Sequence, residues 1–254
     1  MALQFHITDR IFIKLSSVGN QFVVLHLPVN RLTGGERLAF LEGGGVVAKL
    51  WSELILLFVA LPFAVLYWIK HFADYLMPIL GIMGLCCLAI LLADKQFKRI
   101  KLWHWDDYKI HLKSTLRLFL PWASLLALVV YFLKPELFLH WPLNQPWMWV
   151  ATLLIYPIVS VIPQEIIFRT YFFHRYKRIL PSKYARWALS TFLFGLAHLV
   201  YGNWVAVVVS WIGGAIFGYR YMHTNSTPVV VIEHAIWGSF LFTIGLGSYL
   251  VVAA

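Results

Sequence analysis

Charged residues and cysteines are scarce in this sequence of 254 residues. Asp, Glu, Lys and Arg make up 13% of the chain, whereas 61% is hydrophobic and the mean hydropathy is +0.74. A soluble globular domain carries about 25% charged residues, so this balance excludes an ordinary soluble fold. The only cysteines are Cys86 and Cys87. Because they are adjacent within an apolar run, they form neither a disulfide framework nor a zinc-ligand spacing.

Acidic residues are also few, since 11 Asp and Glu stand against 21 Lys and Arg, giving a formal net charge of +10. A nucleic-acid partner would need those basic residues on an aqueous face. Here they lie between apolar segments, so the lipid bilayer is the predicted neighbour and no nucleic-acid partner is expected. The sequence predicts a polytopic membrane protein.

The apolar segments predict an all-α transmembrane helical bundle. A membrane span needs about 20 mostly apolar residues, and about seven such segments are present, with six to eight as the range. The predicted spans are 51–69, 77–93, 116–133, 148–167, 185–201, 204–221 and 228–250. The bundle therefore covers residues 51–254. Residues 1–50 are predicted as a cytoplasmic or interfacial segment, part of which is either a short strand pair or an interfacial element.

The distribution of basic residues predicts the orientation of the chain. All of the 21 Lys and Arg except Lys70 and Lys134 fall on one side of the membrane when these spans are threaded. Loops rich in Lys and Arg face the cytoplasm, so the amino terminus is predicted there. The predicted location is the bacterial cytoplasmic (inner) membrane.

Several spans carry polar residues that lipid does not favour. An ionisable side chain inside a span costs about 2.5 to 3.5 kcal/mol on insertion scales, so a functional role is the default interpretation. At a rise of 1.5 Å per residue, Glu165, His234 and His198 lie roughly 6 to 16 Å from the predicted cytoplasmic ends of their spans. We therefore expect one site, open to the cytoplasm. The polar residues are Gln164, Glu165, Arg169, His198, Glu233 and His234, with His223 and Asn225 in a loop nearby.

Less specific interpretations exist for each of these residues. Glu165 and Arg169 have i, i+4 spacing and could form a purely structural ion pair. Each His alone could be a neutral hydrogen-bonding residue between helices. The Gly-x-x-x-Gly spacing of Gly214 and Gly218 indicates close helix packing. Taken together, a carboxylate and two imidazoles can hydrolyse a substrate with or without a metal ion, and proton or ion translocation is the alternative.

Three short motifs carry a family resemblance. They are "QEIIFR" from Gln164 to Arg169, "FGLAH" from Phe194 to His198, and "HAIWG" from His234 to Gly238. At these residues the chain resembles the CAAX protease and bacteriocin-processing (CPBP, or Abi) family of intramembrane proteases, whose pattern is Glu-Glu-x-x-x-Arg, Phe-x-x-x-His and His-x-x-x-Asn. The resemblance covers residues 147–247, close to the core domain of that family.

The resemblance implies an endopeptidase that cleaves a membrane-embedded or lipidated peptide or protein near its carboxyl end. In that interpretation Glu165 is the base or metal-binding carboxylate and Arg169 orients it. His198 activates water or binds a metal, His234 is an oxyanion donor or ligand, and Gln164 binds substrate or water. The resemblance leaves metal dependence open, and zinc or another divalent metal would be held by Glu165, His198 and His234.

Two positions depart from the family pattern. Gln164 stands where the family has its first Glu, and an amide cannot take a proton from water at neutral pH. Gly238 replaces the Asn, which removes a side-chain donor. Glu233 is a hypothetical substitute for the missing base. The alternative function is a non-catalytic relative that binds membrane peptides as an immunity or assembly factor, and a small transporter is the third hypothesis.

Overall fold

A computed structural model describes residues 12–18, 21–27, 34–68 and 73–251, with side-chain environments from residue 44 onward. The predicted segment 1–50 therefore lies partly outside the described residues, as does Lys70. The chain divides into two compact units, Met1–Glu53 and Leu54–Ala254.

The amino-terminal unit contains a strand pair. Strand β1, Phe12–Val18, pairs antiparallel with β2, Gln21–Leu27, so that Phe12 lies opposite Leu27. Helix α1 follows at Gly34–Ile55. Of the two structures predicted for this region, the described residues adopt the strand pair.

All regular secondary structure among the described residues of the second unit is helical. Its α-helices are α2 (Leu61–Tyr67), α3 (Leu76–Ala93), α4 (Tyr108–Leu133), α5 (His140–Asn144), α6 (Pro146–Tyr156), α7 (Ile162–Glu165), α8 (Phe172–Arg175), α9 (Lys183–Ala197), α10 (Trp204–Thr224) and α11 (Thr227–Ile244). Wider π-helical turns cover Leu56–Ala60, Pro157–Val161 and Ile166–Tyr171, and 3₁₀ turns cover Ala73–Tyr75, Arg99–Leu102, Tyr176–Arg178, His198–Tyr201 and Leu246–Leu250.

Six helical segments among the described residues are long and apolar enough to cross a membrane. They are Gly44–Tyr67, Ala73–Ala93, Tyr108–Leu133, Pro146–Arg178, Trp204–Thr224 and Thr227–Ile244. The prediction of a polytopic helical bundle is therefore confirmed, and the chain is an integral membrane protein. The predicted span 185–201 corresponds to α9, whose 15 residues continue into a 3₁₀ turn and fall short of a full span.

Short polar residues and glycines set the limits of the last three helices. Ser182, Asn203 and Ser226 precede α9, α10 and α11, and each side-chain oxygen accepts a backbone N–H three residues later. These N-caps satisfy one of the unpaired donors at a helix start. Gly202 and Gly245 adopt the left-handed conformation, with φ of 70° and 97°, and end the preceding turns.

The fourth span is longer than predicted. Pro146–Arg178 forms one helical run of 33 residues, so the predicted end at residue 167 is wrong. Two π-helical stretches, Pro157–Val161 and Ile166–Tyr171, interrupt it. Proline lacks an N–H and its ring clashes with the preceding turn, and a wider turn accommodates such an interruption. Consequently Glu165 lies in the middle of a long helix, between two wide turns, rather than at its end.

Small residues allow the site helices to approach closely. A β-carbon on Gly218 would lie 2.8 Å from Cδ1 of Trp187, and one on Gly214 would lie 3.2 Å from the Phe194 ring. Trp187 and Phe194 belong to α9, so this Gly-x-x-x-Gly spacing does mediate close packing of α10 against α9. On the other side of the site, Gly84 of α3 gives room to Pro163.

Aromatic side chains fill the core beside the site. Phe58 is 1% exposed, and its ring meets Phe168, Phe172 and Tyr176 edge-on at centroid distances of 5.3, 5.3 and 6.0 Å. Such edge-to-face pairs contribute about 0.5–1.5 kcal/mol each beyond the area they bury. This cluster fixes the second half of the long helix, which continues directly from Glu165.

Candidate active site

Glu165 on α7 and His234 on α11 are in direct contact. Oε1 of Glu165 lies 2.7 Å from Nδ1 of His234, and the two side chains are 0% and 7% exposed. An ionised carboxylate only accepts hydrogen bonds, so the Nδ1–H of the imidazole donates. This bond fixes the plane of the ring. Nε2 is consequently directed away from Glu165.

Arg169 neutralises the same carboxylate. Its Nε atom lies 3.2 Å from Oε2 of Glu165, and both side chains are fully buried. The contact is an ion pair, because these two atoms are not aligned for a directed hydrogen bond. Nη2 of Arg169 donates to the carbonyl oxygen of Gly214 over 3.4 Å. The ion pair considered as a structural alternative is therefore present, and Glu165 extends it to His234.

Two phenylalanines separate these charges from the surrounding bundle. The Arg169 guanidinium lies 4.2 Å from the ring centroid of Phe194 and 5.6 Å from that of Phe217. His234 stacks on Phe217, with centroids 4.4 Å apart and planes 20° apart. Aromatic faces attract cations in a desolvated setting, so both rings help to hold the buried guanidinium.

His198 occupies the 3₁₀ turn that follows α9. Its Nδ1 atom lies 2.7 Å from the carbonyl oxygen of Phe194, so Nδ1–H donates and Nε2 keeps a lone pair. Its ring lies 4.6 Å from the Phe194 ring, which also contacts His234 at 5.8 Å. The two predicted imidazoles therefore contact the same aromatic ring.

Gln164 has one polar atom without a partner. Its Nε2 donates to the hydroxyl of Ser160 over 2.7 Å, whereas Oε1 has no hydrogen-bond partner among the described residues. The side chain is only 7% exposed. A buried amide oxygen left unpaired is costly, and a bound N–H or O–H would satisfy it.

Cavities connect these residues. One of about 490 Å³ is bounded by His198, His234 and Tyr156 together with an apolar wall that includes Trp122, Leu125 and Ile216. A second, of about 400 Å³, is lined by His198, Gln164 and Tyr156. His198 and Tyr156 thus face both cavities. Glu165 and Arg169 lie behind them in the protein interior.

The predicted metal ligands do not form a metal site in this arrangement. In the part of the chain that the structure describes, no three His, Cys, Asp or Glu side chains are grouped to hold a metal ion. Both oxygens of Glu165 have protein partners, and His234 uses Nδ1 on that carboxylate. The residues present therefore do not fit a resident zinc ion, and a metal requirement stays a prediction.

Glu233 points to a different part of the bundle from His234. Its two oxygens lie 2.8 and 2.9 Å from Nε and Nη2 of Arg220, and the Thr115 hydroxyl donates to it over 3.1 Å. Neighbouring helix positions differ by about 100° in direction, which explains the divergence. Because Arg220 occupies both oxygens, the hypothesis that Glu233 supplies the missing base is not supported.

We expect Glu233→Gln to lower the free energy of unfolding by about 1–3 kcal/mol, because one charged partner of a buried pair is lost. Cleavage of a peptide should stay within two-fold of the wild-type rate. Unfolding in detergent and peptide cleavage are measured on the same preparation. Glu136→Gln is the control, since the Glu136 side chain is 61% exposed beside Lys134. A stable but inactive Glu233→Gln protein would contradict this prediction and show that Glu233 takes part in catalysis.

The two polar residues predicted in a nearby loop, His223 and Asn225, do not join the site. His223 is exposed and its Nδ1 bonds the Tyr219 carbonyl over 2.9 Å. Asn225 accepts a hydrogen bond of 2.9 Å from Lys101. Burial is the main reason that the pKa of Lys101 lies below its usual value, and the neighbouring base Lys177 lowers it further. These contacts tie the 3₁₀ turn Arg99–Leu102 to the end of α10.

Tyr156 is the site residue that the sequence did not identify. Its hydroxyl lies 3.2 Å from Nε2 of His234. It also fills the space beside Gly238, where an added β-carbon would collide with it. A tyrosine inside an apolar span reads as a hydrophobic residue, so no sequence signal distinguished it from its neighbours.

The helices that carry the candidate site match a known protein family. Residues 145–240 match the family model described as Type II CAAX prenyl endopeptidase Rce1-like, which confirms the resemblance carried by the three motifs. The matched segment includes all five predicted site residues. The matched description is that of a protease family, and the match covers 96 of the 254 residues. Neither a curated protein nor a solved structure matches the chain.

Proposed function

We propose that this integral membrane protein, whose residues 145–240 match the CAAX-type endopeptidases, hydrolyses a membrane-embedded or lipidated peptide near its carboxyl end. The observation that supports this most is the buried contact of Glu165 with His234 at the wall of a cavity that His198 shares. In this proposal the amino terminus faces the cytoplasm and the protein resides in a bacterial cytoplasmic membrane.

His198 serves as the general base. The Phe194 carbonyl accepts its Nδ1–H, so the lone pair on Nε2 is available to a water molecule in the cavity. The water oxygen attacks the scissile carbonyl carbon while Nε2 takes its proton. The same proton then passes to the departing amide nitrogen, which leaves as an amine, and the other product is a carboxylic acid.

His234 supports the negative charge that develops on the carbonyl oxygen. The Glu165 carboxylate holds the His234 ring in place, and Arg169 in turn neutralises that carboxylate. Donors fixed before the reaction need no reorganisation, which is the main advantage of such a site. Glu165 acts here as a positioning residue rather than as the base, because Oε1 accepts from His234, Oε2 is ion-paired with Arg169, and neither cavity is lined by Glu165.

Gln164 binds the substrate in this proposal. Its unpaired Oε1 accepts an N–H of the peptide backbone, while Ser160 holds the amide in place. The same observation favours a second candidate, a non-catalytic relative that binds membrane peptides, because an amide binds peptide groups but activates no water.

One experiment distinguishes the two candidates. The purified protein is reconstituted in lipid nanodiscs with membrane peptides labelled at the carboxyl end, and new termini are identified by mass spectrometry. A protease yields truncated peptide that disappears in the His198→Ala/His234→Ala double variant. Retention of intact peptide by the wild-type chain, with no new terminus, supports the binder and overturns the protease.

A further inference from the structure

We propose that Tyr156 is a catalytic residue whose phenolic O–H donates a hydrogen bond to the oxyanion formed during peptide hydrolysis. This inference rests on the proposed function. Tyr156 lies on α6, outside the three motifs. In this inference His234 acts on the reacting atoms through the Tyr156 hydroxyl.

The first support is the chain of contacts that ends at Tyr156. Arg169 pairs with Glu165 and Glu165 accepts from Nδ1 of His234. On the opposite edge of that ring, Nε2 lies 3.2 Å from the Tyr156 hydroxyl oxygen. When His234 is an imidazolium beside the Glu165 carboxylate, Nε2 also carries a proton and donates it in a hydrogen bond to the phenolic oxygen. The phenolic hydrogen must then point elsewhere, and a hydroxyl can rotate to meet an acceptor.

The second support is where that hydroxyl lies. Tyr156 lines the cavities of about 490 and 400 Å³ together with His198, so the donor and the base border the same space. Base and donor on two sides of one cavity are what hydrolysis of a carbonyl requires. Glu165, by contrast, has no surface in either cavity.

The third support is the missing side chain at position 238. Gly238 lies one helical turn after His234, and a β-carbon there would collide with the Tyr156 hydroxyl. The phenol therefore occupies the space that any larger residue at 238 would take. A hydrogen-bond donor at position 238 is not required, because the Tyr156 hydroxyl of α6 occupies the same space.

The ring of Tyr156 is fixed well enough to aim the hydroxyl. It packs edge-on against Phe242 at 5.0 Å and against His234 at 6.2 Å. A donor held by rigid neighbours stabilises an oxyanion without the cost of orienting at the moment of reaction.

Tyr156→Phe tests this role with little change of shape. Loss of one oxyanion donor lowers kcat by about 10²–10³-fold, while KM should stay within two-fold because the ring still fills its space. Tyr131→Phe is the matched control, since Tyr131 lies on α4 outside both cavities and packs against Phe132 and Phe138. Its kcat should stay within two-fold of wild type.

A compensating pair adds a rescue. Tyr156→Ala opens the space above position 238, so Tyr156→Ala/Gly238→Asn places an amide donor there. We expect the double variant to regain at least ten-fold in kcat over Tyr156→Ala. Gly238→Asn alone should unfold more easily, because Tyr156 leaves it no room.

A readout that needs no substrate separates the possible failures. With ¹⁵N-labelled histidine, Tyr156→Phe should move the Nε2 resonance of His234, and Tyr131→Phe should not. If the wild-type chain cleaves peptide and Tyr156→Phe retains its kcat, the role of Tyr156 is overturned and the protease stands. If the wild-type chain cleaves nothing, both fail as catalysis, and the resonance shift still reports whether the Tyr156–His234 bond exists.

Discussion

His198→Ala is expected to lower kcat for peptide cleavage by about 10²–10⁴-fold, the usual contribution of a positioned general base. The imidazole is held by the Phe194 carbonyl through Nδ1, and no other described side chain presents an unpaired basic nitrogen to the same two cavities. The methyl group of alanine cannot accept the proton of the attacking water. KM should change by less than five-fold, because the apolar walls that hold the peptide are unchanged.

His223→Ala is the matched control for this variant. His223 makes the same type of contact, from Nδ1 to the carbonyl oxygen four residues earlier, at 2.9 Å. It differs in lying exposed and away from the cavities. We expect wild-type kcat from His223→Ala. Equal losses from the two variants would mean that removal of such a helix-end hydrogen bond, rather than of a base, had reduced the rate.

The same comparison extends to cells. Carboxyl termini of the membrane proteome are compared between cells carrying the intact gene and cells carrying His198→Ala. Peptides truncated only with the intact gene identify substrates directly. If the two sets are identical while the purified variant has lost activity toward test peptides, the natural substrate was not expressed under that condition and a second growth condition is compared.

The sequence singled out the polar residues of the candidate site. His198, His234 and Glu165 stand out because lipid penalises ionisable groups, and only a shared interior pocket removes that penalty. The structure brings Glu165 and His234 into contact and places both imidazoles on one cavity. The helical bundle followed from hydropathy for the same reason, since every backbone group in lipid must be paired within a helix. Seven spans were predicted, and six helical segments among the described residues are long and apolar enough.

The direction of each side chain could not be derived from the sequence. Glu165 and Glu233 both adjoin a polar residue inside a span, yet Glu165 turns to His234 and Glu233 turns to Arg220. Which partner a carboxylate meets depends on the rotation of its helix against neighbours distant in sequence. The π-helical turns around Glu165 change that rotation locally, and no residue pattern predicted them.

Tyr156 shows a second limit. Its ring is apolar enough to be counted with the lipid-facing residues, and its hydroxyl becomes significant only because Gly238 leaves space beside His234. A missing side chain on one helix and a hydroxyl on another form one feature of the site. Such pairing across 82 positions of chain is a property of the packed bundle.

Glu165→Ala is expected to have the largest combined effect on stability and activity. Removing one partner of a buried ion pair costs about 3–5 kcal/mol, because the remaining charge stays buried without compensation. Here the remaining charge is Arg169, fully buried between Phe194 and Phe217. His234 loses its hydrogen-bond acceptor in the same substitution. We expect peptide cleavage below the detection limit.

A double variant separates the two losses. In Glu165→Leu/Arg169→Leu no charge is left unpaired, and replacing a buried ion pair by apolar residues of similar volume is often neutral or stabilising. We therefore expect unfolding in detergent close to that of wild type, combined with loss of cleavage, because His234 is no longer held. If the stable double variant cleaved peptide at the wild-type rate, Glu165 would serve folding alone, and the positioning of His234 would have to come from Phe217 and Tyr156.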